Sequence, residues 1–439
     1  MNYKKKLSIR KFFYMLFLLS VFPAIHAQDS LSLEKAVKMA LKNNFDILIA
    51  NNSSTISKVN NTLGNAGMLP TVALVGSGNY SLNNRSQKNT DGTTLNSSAV
   101  SSTTVTAGAE LTWTLYNGGK MFVTKNKLTE IQALGEIQYR DKVLQTLFNV
   151  IGAYYDVVRQ KQQLKSINEA LDYNKDRVKI SQAGFNAGSL VKTDLLQAKI
   201  DLNVAMESLI NQQFIIVQAN KTLNQLLCIT KDIDFLITDS IQLNYSPDRK
   251  ELIQKLNASN TSILSFQKQI DIANLTVNEF KSGYLPIVDF NAGYYFSQST
   301  NTNASIAQNR LVGPQIGGTI VIPLFSAGEN KRKITAAKIE SENATYDLQN
   351  IKLQVNTILE NTLTDFENQQ RLFEIETENN ELALENIKIS LERLRLGQST
   401  SLEVHIAQED YVQSNTRLIN FRYNLKLSET KLKQLVSGL

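Results

Sequence analysis

From Val105 to Leu115 apolar and polar residues alternate without a break. Val105, Ala107, Ala109, Leu111, Trp113 and Leu115 occupy the odd positions, with Thr106, Gly108, Glu110, Thr112 and Thr114 between them. A period of two predicts a strand with one apolar face. The same pattern sets Val288, Phe290, Ala292, Tyr294 and Phe296 against Asp289, Asn291 and Gly293, and recurs more loosely over 70–82 and 311–324. Four strands are therefore expected, at about 70–82, 103–115, 286–298 and 311–324. Each is close to the roughly 9–11 residues a strand needs to cross lipid. The segments between them, 83–103 and 297–310, are almost wholly Asn, Ser, Thr, Gln and Gly and predict solvent-facing crossings.

Elsewhere the period lengthens. Residues 329–396 contain no Gly and no Pro, and 120–182 contain no Pro and only Gly135 and Gly152. Helices are expected over 120–184 and 329–396, each on the order of 100 Å long at 1.5 Å per residue. The helices that follow, 189–227 and 399–437, carry heptad stripes: Leu195, Leu202, Leu209, Ile216 and Leu223 in one, Val404, Tyr411, Leu418, Leu425 and Leu432 in the other. Such a stripe buries its face against a neighbouring helix. Pro70, Pro286, Pro314 and Pro323 fall at or in the strands and Pro247 between the halves, so none breaks a helix.

The chain is written twice. Leu69-Pro70 answers Leu285-Pro286 at an offset of 216, as Asn43-Asn44 answers Ser259-Asn260. Leu115-Tyr116-Asn117-Gly118-Gly119 answers Leu324-Phe325-Ser326-Ala327-Gly328 at 209, an offset that persists to Gly188 and Gly397 and to Asp194 and Glu403. The seven residues of difference lie in one loop. A first repeat is expected over 28–247, with a connector at 228–247, and a second over 248–439. Each reads helix, strand, loop, strand, long helix, turn, helix.

Four amphipathic strands cannot close a barrel, and an open edge in lipid leaves backbone groups unsatisfied. The chain is therefore expected to oligomerise. Three copies supply twelve strands with apolar residues outward and a polar lumen, and helices around the same axis prolong that lumen into a tube.

Composition narrows the setting. Lys4, Lys5, Lys6, Arg10 and Lys11 precede the apolar run Phe12 to Phe22, and small residues follow at Ala24 and Ala27. This is the layout of a secretory signal peptide, residues 1–27. Without those five cations the formal charge falls from +6 to +1, which leaves no surplus for a nucleic-acid partner. Cys228 stands alone in the mature chain and His405 is its only histidine. No disulfide, metal site, cofactor site or catalytic set is expected, and an enzyme is the weakest reading. A secreted coiled-coil stalk is the alternative to a channel, but a stalk has no use for four lipid-length amphipathic strands.

The opening Leu33-Glu34-Lys35-Ala36-Val37-Lys38-Met39-Ala40-Leu41-Lys42-Asn43-Asn44, the Leu-Pro strand starts and the Leu-Tyr-Asn-Gly-Gly strand exit resemble the TolC outer-membrane efflux family. So does Phe185-Asn186-Ala187-Gly188-Ser189 followed by Asp194-Leu195-Leu196-Gln197-Ala198. The resemblance covers the whole mature chain, with Phe45 where many relatives place Pro. It implies a homotrimer with a twelve-stranded outer-membrane β-barrel, an α-helical coiled-coil barrel in the periplasm and a small mixed belt near 228–250 and the C-terminus. It implies a non-enzymatic exit duct of a tripartite efflux or type I secretion system. The partners would be a periplasmic adaptor, an inner-membrane transporter of the resistance-nodulation-division or ABC type, and outer-membrane lipid.

Candidate site residues follow. Glu403 and Asp194 are candidates for acid rings at the periplasmic pore mouth, although an acid in the first turn of a helix also simply suits the macrodipole. Gly188 and Gly397 suit tight left-handed turns, and by resemblance they present the helical tips, with Phe185, Ser189 and Leu396, to an adaptor. Tyr80, Trp113, Tyr116 and Phe325 are candidates for an aromatic girdle at the membrane interface. The latch the family's best-known member uses maps onto Glu403, Ile406, Leu394 and Ser399, where only the first acid is kept in kind. His405, near the predicted tip, reads as a surface helix residue rather than a switch, and Lys331, Arg332 and Lys333 as a solvated or headgroup-facing run.

Overall fold

The computed structural model describes residues 31–229, 237, 240–302 and 306–439. The expected signal peptide, most of the start of the connector and three residues of the second strand loop lie outside them. The chain is mainly helical, with a single antiparallel sheet among the described residues. Its elements in order are α1 (Leu33–Asn43), α2 (Phe45–Asn60), β1 (Thr71–Lys88), β2 (Thr94–Asn117), α3 (Lys120–Asn186) and α4 (Lys192–Leu226). The series then repeats as α5 (Arg249–Ser259), α6 (Thr261–Lys281), β3 (Ile287–Asn301), β4 (Gln308–Val321), α7 (Glu329–Arg395) and α8 (Ser401–Leu435).

The two series of elements share their punctuation. Asn44 caps α2, its side chain accepting from the N–H groups of Asp46 and Ile47 at 3.0 and 3.3 Å. Asn260, its counterpart, caps α6 by accepting from Ile263 N–H at 3.1 Å. An asparagine oxygen satisfies amides that a helix start otherwise leaves without partners. Asn260 also donates from Nδ2 to the carbonyl of Leu435, which ties the end of the chain to the second repeat's opening.

The residues form two compact units, and these cut across the two sequence repeats. Unit 1 gathers the chain through Lys42, Asn149–Asn244 and Gln369–Leu427, and unit 2 gathers Asn43–Phe148, Tyr245–Asn368 and Ser428–Leu439. The cause lies in α3 and α7, each 67 residues long, which outrun any single core and pass from one unit into the other. In unit 1, Ala36 and Ala40 of α1 pack with Val150, Tyr154 and Val157 of α3 and with Ala219 and Leu223 of α4. The Tyr154 hydroxyl, buried there, donates to the Leu31 carbonyl at 2.9 Å. The α8 heptad positions Val404, Tyr411, Leu425 and Leu432 are buried, as the stripe requires.

In unit 2 the sheet runs in the order β1-β2-β3-β4, so β1 and β4 are its two edges. The register sorts the residues by face, since directly paired residues point the same way. One set of rows is apolar: Val72, Leu111, Ala292 and Ile316 in one, Leu74, Ala109, Tyr294 and Pro314 in the next, Gly76, Ala107, Phe296 and Val312 in a third. The rows between are mostly polar or small, such as Thr71, Thr112, Asn291 and Gly317. On that polar side Thr114 donates to Asp289 at 2.7 Å, and Thr106 meets Ser297 at 3.4 Å.

Two features differ from the expectation. The first hairpin runs far beyond 70–82 and 103–115, and only Asn89–Thr93 is left as its turn. Its Ser- and Thr-rich outer part pairs through backbone ladders and side chains such as Ser86 to Asn96 at 2.7 Å, which need no apolar alternation. The register also shifts between Thr114 and Tyr116, a bulge that takes Leu115 out of the apolar row.

Candidate functional site

The turns that join α3 to α4 and α7 to α8 share a left-handed glycine and two backbone hydrogen bonds. Gly188 (φ +74°) and Gly397 (φ +71°) both adopt the left-handed conformation that glycine reaches without steric cost. Gly188 N–H donates to Phe185 O at 3.1 Å, and Gly397 N–H to Leu394 O at 3.0 Å. Ser189 N–H donates to Gly184 O and Gln398 N–H to Arg393 O, both at 2.8 Å. These bonds cap the last carbonyls of each long helix. Phe185, Gly188, Ser189, Leu396 and Gly397 are all exposed, and each turn gathers its own members at one apex.

The turns differ in how they are fastened. In the first, Leu190 lies over Gly184, where an added Cβ would come within 2.7 Å of it. In the second, the position of Gly184 is Arg393 and that of Leu190 is Ser399. Arg393 bonds Glu403 at 2.5 Å and the Gln398 carbonyl at 3.1 Å, and Ser399 Oγ donates to the other oxygen of Glu403 at 2.8 Å. Glu403 thus has its charge answered within its own hairpin. Asp194 stands in the first turn of α4, whose N-cap Val191 offers no side-chain cap, whereas Thr400 Oγ1 accepts from Glu403 N–H. At the remaining latch positions Leu394 is buried and Ile406 exposed.

A third cluster escaped the sequence reading. Arg177 of α3, fully buried, bonds Asp201 of α4, and His405 of α8 stands beside both. The signal that could have found it is the inward stripe Ala170, Asn174, Arg177 and Ser181, where polar side chains hold positions that elsewhere on α3 are apolar.

Three of the four aromatic candidates lie on the sheet's apolar face. Trp113, opposite Phe290, lies on that face by parity, and the bulge at Leu115 brings Tyr116, opposite Val288, onto it as well. Trp113 donates from Nε1 to Met68 O at 3.0 Å. Tyr80 lies nine residues along β1 from Thr71, roughly 30 Å at the strand rise. Phe325 lies past the end of β4, 88% exposed. Of the basic run, Lys333 pairs with Glu329 at 2.6 Å at the start of α7.

Among the described residues no helix is long and apolar enough to cross a membrane, and no group of His, Cys, Asp and Glu is arranged to hold a metal. A mainly helical chain with an amphipathic sheet open at both edges has the architecture of a subunit that completes its sheet with other copies. Comparison with known proteins gives the family. The profile of the outer membrane efflux protein family matches residues 36–228 and 252–438, and the chain belongs to that family. It is 21% identical over 333 residues to the outer membrane efflux protein BepC of Brucella suis, covering 75% of this chain and 71% of that one. It is 26% identical over 185 residues to the outer membrane protein TolC of Vibrio cholerae, covering 42% and 40%. In structure it resembles the CmeC outer membrane channel of Campylobacter jejuni, with a TM-score of 0.76, 17% identity and coverage of 92% and 85%. VceC of Vibrio cholerae gives a TM-score of 0.75, 16% identity and coverage of 92% and 96%. The protein is an outer-membrane exit duct and not an enzyme.

Proposed function

We propose that three copies of this chain close into one passive conduit, which receives its cargo through a periplasmic adaptor from an energised inner-membrane transporter. The sheet carries this reading: β1 and β4 are each paired on one side only, and both present exposed apolar residues, Val72 and Leu74 on one and Ile316 and Ile320 on the other. Joining β1 of one copy to β4 of the next satisfies both edges and wraps the apolar rows around the outside. The helices support the same arrangement. Leu196, Ile200, Ile210, Phe214 and Val217 form an exposed apolar stripe on α4, and Leu382 and Ile389 toward the end of α7 form another, prolonged by Leu396 in the turn. Packing α4 of one copy on α7 of the next buries both stripes.

In this reading the two helix turns face the adaptor with Phe185, Gly188, Ser189, Leu396 and Gly397. Asp194 and Glu403 lie by the periplasmic mouth, and Trp113, Tyr116 and Phe325 belong to one interfacial belt with Tyr80 in the other. The transporter is of the resistance-nodulation-division or ABC type. One relative is named an alkaline protease secretion protein, AprF of Pseudomonas aeruginosa, 23% identical over 219 residues, which keeps the secretion branch in view.

Electron microscopy of the mature protein extracted from outer membranes in detergent tests the assembly. A threefold tube with a twelve-stranded cap supports it, and globular monomers or solid rods without a lumen overturn it. Co-purification with a periplasmic adaptor, lost when both turns are replaced, tests the docking.

A further inference from the structure

The His405 ring stands between a donor and an acceptor that compete for the same nitrogen. Its Nδ1 is 3.2 Å from Asp201 Oδ2 on α4 and 3.4 Å from Arg177 Nη1 on α3. Its Nε2 is 3.5 Å from Glu409 Oε1, one turn along α8. Asp201 is already committed on both oxygens, Oδ2 to Arg177 and Oδ1 to Gln197 Nε2 at 2.8 Å. Nδ1 cannot serve both neighbours in one protonation state. A neutral ring with Nδ1 bare accepts from Arg177 and turns Nε2–H toward Glu409. A protonated ring must donate from Nδ1 to Asp201, and Nε2–H again meets Glu409.

The surrounding charges decide which way the proton acts. The charged groups facing the ring are Arg177 from α3, Asp201 from α4 and Glu409 from α8 itself, one cation against two carboxylates. On the far side of α8, α7 packs with the apolar Ala383, Leu384, Ile387 and Leu391 against Ala407 and Tyr411. Further along α8, Tyr411 is taken by Glu169 at 3.0 Å. A cleft of about 570 Å³ runs beside the cluster, and Asp201, His405 and Glu409 all line it, so solvent protons reach the ring.

We infer that His405 is a proton-operated clasp that fastens α8 to α4. Histidine is the side chain whose ordinary titration falls between about pH 5 and 8. The α4–α8 ion pair exists only while the ring carries its second proton. His405 stands two residues from Glu403, about half a turn along α8, so the contact acts on the segment of α8 nearest the hairpin turn. The inference rests on side-chain geometry within one unit of one chain. Its failure leaves the channel reading intact.

Amide hydrogen exchange on the full-length mature protein in detergent tests it, at pH 5.5 and 7.5 and corrected for the intrinsic pH dependence of exchange. Protection over residues 401–413 is expected to be roughly two- to fivefold greater at pH 5.5, as fits a partly exposed ion pair, with α6 as an unresponsive control. His405→Gln should bring the ratio to one, and Glu409→Gln should reduce it without disturbing the buried Arg177–Asp201 pair. The only other histidine, His26, lies in the expected export segment, so the effect has one source. A wild-type chain with no pH response over α8, or an unaltered response in His405→Gln, overturns the clasp.

Discussion

Arg393 holds Glu403 at 2.5 Å across the α7–α8 turn, and Ser399 bonds the other carboxylate oxygen. An acid so held presents little net charge to a passing ion. Arg393→Gln should release it and shift the reversal potential of the reconstituted channel toward cation selectivity. The double variant with Glu403→Gln should cancel the shift. Unchanged selectivity in both would place Glu403 away from the conduction path.

Glu376 on α7 is buried and accepts two bonds from Arg417 of α8, at 2.9 and 3.1 Å. Burial raises its pKa, but the bonds and charge of Arg417 outweigh that and hold the carboxyl below the usual carboxylate range. A carboxyl lowered in the folded state contributes stability above its unfolded value, about 4.3, and loses it as pH falls through the folded value. Arg417→Met should cost about 1.5–3 kcal/mol at pH 7, the scale of a hydrogen bond to a charged group. Thermal unfolding should show the deficit shrinking below pH 4.

Gly118 and Gly119 both have positive φ, +70° and +80°, so Ala at either pays roughly 1–2 kcal/mol of backbone strain. Only at Gly118 does the new Cβ meet neighbours, the Ser282 carbonyl and, at 2.8 Å, the Leu285 side chain. Gly118→Ala should therefore lower the yield of folded protein in the outer membrane well below that of Gly119→Ala, measured by heat-modifiable migration on gels.

Leu74, 89% exposed, belongs to the apolar rows of the sheet, and Ser77 to the polar ones, opposite Thr106. Leu74→Arg should cost about 2–4 kcal/mol in the bilayer's middle and deplete assembled protein, while Ser77→Arg should assemble. Equal loss in both would mean that the apolar rows do not face lipid.

Much of the architecture was legible because it rests on local patterns. Val105 to Leu115 announce a strand by parity, and 329–396 announce a helix by the lack of anything that would stop one. The bulge at Leu115 was not legible, because parity is blind to a residue that slips out of register. Nor was the reach of the first hairpin, whose outer strands are held by Ser and Thr ladders with no apolar signature. The site was harder still. Arg393 and Glu403 are ten residues apart, on opposite sides of the turn, and Arg177 and His405 are 228 apart; nothing in either neighbourhood names the partner. What the sequence offered there was a polar residue on an inward stripe, which alone reads as the fading of a core.

The two compact units each take segments from both repeats. The connector between repeats is therefore a seam in the text and not in the material. A protease that nicked the chain near Pro247 would leave two fragments laced together, each missing half of both bodies and neither free to depart.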